Sequence, residues 1–414
     1  MRNSVLTLAI MLLLQNHATG QQPLPTASPD SVGLSSQRLE RIGEVLRADI
    51  AQDRLPGAVV AIARKGKLVY FEAFGFLDPK SGAKMTRDAV FALASMTKPL
   101  TSVGVLSLCE QGKLRINQPA SDYLPELRKM SVSVGGSLDS TRPAMRSVTI
   151  QDLLRHTAGL PYGSASGSAL EKRYAALDSL LDFSAHQEFL ESLTRLPLYR
   201  EPGTEWNYGY GPDVAGLIIE KVTKQTLGQY LNSILLRPLQ MTDTGFELSA
   251  EQRRRVAKPF AVDPITRQPQ IIPLESPFQC GGGCAFSTAS DYLRFGQMLL
   301  NKGQLDNARI LGRKTVEYMT ADHLGPEVDA TALRNHPMLN GYGFGLGVAV
   351  RKGPGVAGIM GSTGEYSWGG AYGTYFWVDP REDLVVVFMS AVQGPLTRVY
   401  RQVINTLVLQ AIVD

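Results

Sequence analysis

Strand-forming segments lie at the two ends of this 414-residue chain and helix-forming segments between them, and no other feature restricts its fold as much. Near the start, Gly57-Ala58-Val59-Val60-Ala61-Ile62-Ala63 and Leu68-Val69-Tyr70-Phe71-Glu72-Ala73-Phe74-Gly75 flank Arg64-Lys65-Gly66-Lys67. Two apolar runs around a glycine turn predict a β-hairpin. Toward the end, Tyr342 to Val350, Ala371 to Val378 and Asp383 to Ala391 read as strands, and Val399 to Ile412 as a helix. In between, Asp213 opens a helical run with Val214, Leu217, Ile218 and Val222 on one face. Ser287 caps another, which buries Phe295, Met298 and Leu299 and stops at Gly303. The expected fold is α/β in the α+β sense, an antiparallel sheet built from both chain ends and flanked by helices, with a mostly helical insertion. The sheet unit is assigned to 21–115 and 336–414 and the helical unit to 116–335, with chemistry expected in the cleft between them. Ser131 to Gly136 and Tyr162 to Gly167 read as surface loops.

The first 20 residues have the pattern of a secretory signal: Arg2, then an apolar run from Val5 to Leu14, then Ala18-Thr19-Gly20. The run is about ten residues, well short of the ~20 that a spanning helix needs, so export to the periplasm or medium is expected rather than anchoring. Without the leader, 41 Lys and Arg (42 less Arg2) face 38 Asp and Glu, a scattered charge of +3. That balance excludes a nucleic-acid footprint. Nothing in the sequence indicates an oligomeric state. Three cysteines, Cys109, Cys280 and Cys284, are too few for a disulfide scaffold or a four-ligand zinc site, and no metal or cofactor is expected. Cys109 reads as a small buried hydrophobe. Cys280 and Cys284 bracket Gly281-Gly282-Gly283, and that spacing fits either a bridge or two thiols in a turn.

The chemistry rests on Ser95-Met96-Thr97-Lys98. A serine and a lysine three apart at the start of a helix share a face, so the amine can reach the hydroxyl. Taken alone the spacing is common, and a helix cap followed by a solvated lysine is the ordinary explanation. The helix that follows, Leu100 to Cys109, is apolar nearly all round, which marks it as buried. Burial opposes the charged ammonium, and the helix N-terminus favours negative charge near Ser95. There is no Gly-x-Ser-x-Gly elbow, no His-Glu-x-x-His helix and no Walker loop. Tyr342-Gly343-Phe344-Gly345-Leu346-Gly347 reads as close backbone packing rather than a nucleotide loop.

With its surroundings, Phe91-Ala92-Leu93-Ala94-Ser95-Met96-Thr97-Lys98-Pro99-Leu100-Thr101 closely resembles the nucleophile segment of the serine β-lactamase superfamily, in the branch of class C β-lactamases, family VIII carboxylesterases and related acyltransferases. Four further segments match in order: Leu153 to Pro161, Pro202-Gly203-Thr204-Glu205-Trp206-Asn207-Tyr208 with Asp213-Val214-Ala215-Gly216, Pro238 to Thr244, and Ser287 to Tyr292. The resemblance runs from about Ser31 to the C-terminus. It implies a β-lactamase/penicillin-binding-protein-like fold and a Ser95, Lys98, Tyr208 catalytic set, with the backbone N–H groups of Ser95 and Ala371 as oxyanion hole. No histidine is required, so His156 reads as a structural loop residue, and His186, His323 and His336 show no partner pattern.

Two departures bear on substrate. Class C enzymes carry asparagine two residues after the tyrosine, where this chain has Tyr210. At the family's cationic triplet the matching residues are Trp368-Gly369-Gly370-Ala371. Tryptophan offers one N–H and no charge, whereas a cation suits the carboxylate of β-lactams and D-Ala-D-Ala peptides. The resemblance therefore implies a carboxylesterase for neutral, short-chain esters, with acyl transfer to alcohols as a variant and a small-molecule ester as partner. A class C β-lactamase or D-Ala-D-Ala carboxypeptidase, and an inactive sensor on the same scaffold, are the alternatives.

Overall fold

The computed structural model describes residues 23–177 and 186–414, and the signal-like leader lies outside them. The expected hairpin forms as β1 (Gly57–Arg64) and β2 (Lys67–Asp78), followed by β3 (Ala83–Lys84). From the other end come β4 (Tyr342–Phe344), β5 (Ala349–Arg351), β6 (Tyr366–Gly369), β7 (Tyr375–Asp379) and β8 (Leu384–Ser390). One antiparallel eight-stranded sheet results, in the order β4-β5-β6-β7-β8-β1-β2-β3. The two chain ends join where β1 pairs with β8, Ala61 opposite Val387.

Every residue of β1 and β8 is buried, which explains why both read as continuous apolar runs instead of alternating ones. On one face, Val60, Ile62, Val386 and Phe388 pack with Leu39, Ile42 and Leu46 of the Ser36–Ala51 helix and with Tyr400, Ile404 and Val408 of the C-terminal Leu396–Leu409 helix. On the other, Val59, Ala61, Val385 and Val387 join the larger core that includes Phe295 and Leu299 of the Ala289–Leu300 helix. Among the described residues no helix is long and apolar enough to cross a membrane.

Several expected boundaries move. The single strand expected over 342–350 is the hairpin β4–β5, because Gly345 N–H bonds back to Val348 and Gly347 sits at φ 86°. The strand expected from Ala371 begins at Tyr375, since Gly370 to Thr374 is a tight turn with Gly373 at φ 98°. Trp368 belongs to β6, before that turn. Thr288, not Ser287, caps the Ala289–Leu300 helix, and Ser287 pairs with Phe91 in a short ladder. The Asp213 helix starts at Gly211. Ser131–Ser133 is not a surface loop; it pairs with Thr141–Pro143 and buries Val132.

The Ala289–Leu300 helix approaches the sheet at Gly296, where an added Cβ would lie 2.5 Å from Val385 Cγ1. Gly296→Ala sets two effects against each other: helix propensity favours alanine by about 1 kcal/mol, and overpacking costs about 1–3 kcal/mol. Valine in a sheet buried on both faces cannot swing aside. Urea unfolding of Gly296→Ala should therefore show a net loss of about 1 kcal/mol, and a more stable variant would show that the helix–sheet contact yields.

Candidate active site

The short strand Phe91–Ala92 delivers the chain to Ala94, held in the left-handed region at φ 45° immediately before Ser95. A non-glycine residue there costs on the order of 1–3 kcal/mol and persists only where the surroundings fix it. Leu93 is fixed from two sides: its N–H bonds to Ala285 O (2.8 Å), and its carbonyl accepts from Thr374 Oγ1 (2.9 Å). Met96 O accepts from Tyr292 Oη (2.7 Å). Ser95 is thus presented, half-buried, at the head of the Thr97–Glu110 helix.

Lys98 is 0% exposed. Its Nζ lies 3.1 Å from Ser95 Oγ, 3.0 Å from Tyr162 Oη and 2.7 Å from Gly282 O. The Tyr162 and Gly282 oxygens accept two N–H bonds of the amine, and its third position faces the Ser95 hydroxyl, the geometry a proton acceptor needs. The sequence brought together Ser95 and Lys98; the structure adds Tyr162 and Gly282. Tyr162 to Gly167 is a loop as expected, but Tyr162 points inward, its ring packed edge-on against Tyr208 at 5.3 Å.

Tyr208 reaches the same place from the 201–210 segment. Its ring centroid is 4.7 Å from Lys98 Nζ, and its hydroxyl has no hydrogen-bond partner among the described residues. Gly209 allows the turn: a Cβ there would fall 1.9 Å from Leu160 O. Tyr210, where class C enzymes carry asparagine, is buried and donates to Tyr174 O (3.0 Å), so no amide enters the site from that position.

His156 sits behind Tyr208 at 4.6 Å between ring centroids, with φ 60°. Its carbonyl accepts from Asn207 N–H (2.8 Å) and its Nδ1 from Gly209 N–H (3.2 Å), so it grips the chain on both sides of Tyr208. Burial, with Lys98 nearby, holds its imidazole well below the usual histidine pKa. It is a neutral structural group that orients the tyrosine segment. His336, which shows no partner pattern in the sequence, lines the same cavity as Ser95.

That cavity has a volume of about 410 Å³ and is walled by Ser95, Tyr208, Trp368, Ala371, Met338 and Ile359, among others. Trp368 is buried against Tyr208 (5.3 Å) and Phe344 (5.1 Å). Gly370 is required by close approach to backbone, and Gly369 leaves room for a side chain. A Cβ on Gly369 would meet Arg401 Cζ at 2.4 Å, and one on Gly370 would meet Leu93 O at 2.1 Å. Arg401, from the C-terminal helix, was not legible as a site residue. It lines the cavity and donates to Gly370 O (2.6 Å) and Thr374 O (3.4 Å); burial draws its guanidinium pKa down to about 10. Among the described residues no group of His, Cys, Asp and Glu is arranged to hold a metal.

His156→Ala leaves Gly209 N–H buried without its acceptor, which should cost about 1–3 kcal/mol of stability. Because the imidazole serves structure, the folded variant should still be labelled stoichiometrically by a fluorophosphonate, though more slowly. A folded variant that takes no label would make His156 part of the chemistry.

The sequence profile of the Beta-lactamase family matches residues 42–409. The chain is 36% identical over 349 residues to protein Rv1367c of Mycobacterium tuberculosis, covering 81% of this chain and 85% of that one. It is 31% identical over 416 residues to esterase EstB of Burkholderia gladioli, covering 92% and 97%. Among solved structures, EstCE1, a hydrolase with promiscuous acyltransferase activity, aligns with a TM-score of 0.75 at 25% identity, over 91% of this chain and 99% of that one.

Proposed function

We propose that this chain, which belongs to the β-lactamase family and is a serine hydrolase with that family's fold, cleaves neutral, short-chain carboxylic esters through an acyl-Ser95 intermediate. The observation that carries the reading is the 3.1 Å approach of a fully buried lysine amine to Ser95 Oγ at the edge of an open, mainly apolar cavity. The likeness to esterase EstB and to the hydrolase EstCE1 supports it.

In this reading Lys98 accepts the Ser95 proton as Oγ bonds to the ester carbonyl carbon. The negative charge that develops on the carbonyl oxygen meets the backbone N–H groups of Ser95 and Ala371. Tyr208, whose hydroxyl is uncommitted, hands a proton to the departing alkoxide, and the carbon–oxygen bond to the alcohol breaks. Water, or an alcohol in a transfer reaction, then attacks the acyl carbon by the reverse proton path. We further propose export, in line with the leader and with the Cys280–Cys284 disulfide described below.

Trp368 at the position of the family's cation is the basis for neutral esters. Arg398 and Arg401 on the cavity wall favour a second reading, a carboxylate-bearing substrate of the β-lactam or D-Ala-D-Ala kind. Parallel assays on short-chain aryl esters and a chromogenic cephalosporin separate the two, with the esters expected to be far the better substrates.

Ser95→Ala should abolish ester turnover and fluorophosphonate labelling together, and one equivalent of label on the variant would remove Ser95 from the mechanism. Lys98→Arg keeps a charge but supplies no neutral base, so it should be nearly as inactive as Lys98→Ala. Substantial turnover by Lys98→Arg would sink the base role, and wild-type rates in Tyr208→Phe would end the relay.

Trp368→Lys should shift the ratio of specificity constants toward the cephalosporin by roughly tenfold to a hundredfold, the size of one charge-assisted contact. An unchanged ratio in a folded, acylatable variant would show that Trp368 does not set substrate class.

A further inference from the structure

The third partner of Lys98, the Gly282 carbonyl, belongs to a segment that the mechanism above does not use. Cys280 and Cys284 are joined by a disulfide across Gly281-Gly282-Gly283. Each part of this small ring is tied to the catalytic neighbourhood. Gly282 O accepts from Lys98 Nζ (2.7 Å), and Gly281 O accepts from Thr101 Oγ1 (2.8 Å) one turn further along the same helix. Gly282 N–H donates to Asp213 Oδ1 (2.8 Å), and Ala285 N–H, just past the ring, donates to Thr97 Oγ1 (3.1 Å).

Two of the three glycines are dictated by space. A Cβ on Gly281 would sit 2.3 Å from Pro212 O, and one on Gly282 would sit 2.4 Å from Asp213 Oδ2. The ring must therefore press its backbone against the start of the Gly211–Thr223 helix in order to present its carbonyls to Lys98 and Thr101. Glycine permits that approach but loses more conformational freedom on ordering than any other residue. A covalent closure withdraws part of that freedom beforehand. The ring joins residues only four apart, so it constrains the unfolded chain little compared with a long-loop bridge, and its effect is local.

We propose that the Cys280–Cys284 bridge is a positioning element for catalysis: it holds the Gly282 carbonyl on Lys98, and so keeps the amine aimed at Ser95 Oγ. The proposal rests on Lys98 acting as the base. Neither cysteine lines the substrate cavity, so loss of the bridge should slow acylation while leaving substrate contacts intact.

The test uses the folded mature protein with an aryl ester, before and after a water-soluble phosphine. The phosphine gives two electrons to the S–S bond and becomes its oxide with oxygen from water, and the two sulfurs leave as thiols. Alkylation and mass mapping count the new thiols at Cys280 and Cys284, and thermal melting reports the folded fraction. The expected result is a fall in kcat of about tenfold, the upper scale of losing one ordinary hydrogen bond, with KM within about twofold of its starting value. Reoxidation should restore kcat. The double variant Cys280→Ser, Cys284→Ser should match the reduced enzyme and ignore the phosphine, and it carries the test if the native bridge resists reduction.

Three results overturn the proposal: unchanged kcat with both thiols exposed, a fall in kcat accounted for by lost folded protein, or three alkylatable thiols in the untreated protein. Failure of the base assignment looks different. In that case Lys98→Arg turns over ester in either redox state, whereas failure of the bridge alone leaves Lys98→Arg inactive and the reduced wild type fully active.

Discussion

A lysine amine with no exposure to water, hydrogen-bonded to three oxygens from three separate parts of the chain, is the constraint on which the rest of this structure depends. A buried amine must find polar partners inside the protein, and here they are Ser95, Tyr162 and Gly282. Each partner needs its own support. Ser95 is held through Leu93 and Met96, Gly282 through Asp213, and the loops around Tyr162 and Tyr208 are pinned where Tyr162 N–H bonds to Tyr208 O (3.2 Å). The apolar Thr97–Glu110 helix is buried nearly throughout because it carries the amine into the interior.

Around that centre, aromatic and cationic side chains line the cavity. Trp368 and Tyr208, with Phe344 packed behind Trp368, form an aromatic wall that offers area without charge. Beside Trp368, Arg401 lies against Gly369 and ties the Gly370 turn to the C-terminal helix. Gly370 in turn touches the backbone of Leu93, so the Ala371 turn and the nucleophile turn are one packed unit. The pairing of β1 with β8 brings these distant stretches of chain to the same place.

What could be read from the sequence were features with short-range causes. Continuous apolar runs marked β1, β2 and β8, and the all-round apolar helix after Ser95 separated Lys98 from the many lysines that follow a serine by chance. The missed features depend on long-range contact. Tyr162 follows a Gly-Leu-Pro turn and carries no local sign of facing inward, and Arg401 lies on an amphipathic helix whose inner face cannot be told from its outer one by charge alone. The bridging cysteines and the glycines between them were visible as a motif, but their link to Lys98 exists only across 184 residues of sequence. His156 was legible in kind, as a structural residue, but its grip on both sides of Tyr208 was not.

The central claim is that Ser95 carries the acyl group between two half-reactions. Rapid-quench intact-mass measurement during turnover of a slowly deacylating aryl ester addresses it directly. The expected result is a burst of alcohol equal to one equivalent of enzyme, with a mass gain of one acyl group that maps to the peptide containing Ser95. Turnover at the same rate with the protein unmodified at every quench time, or an acyl group found on a different residue, would contradict it.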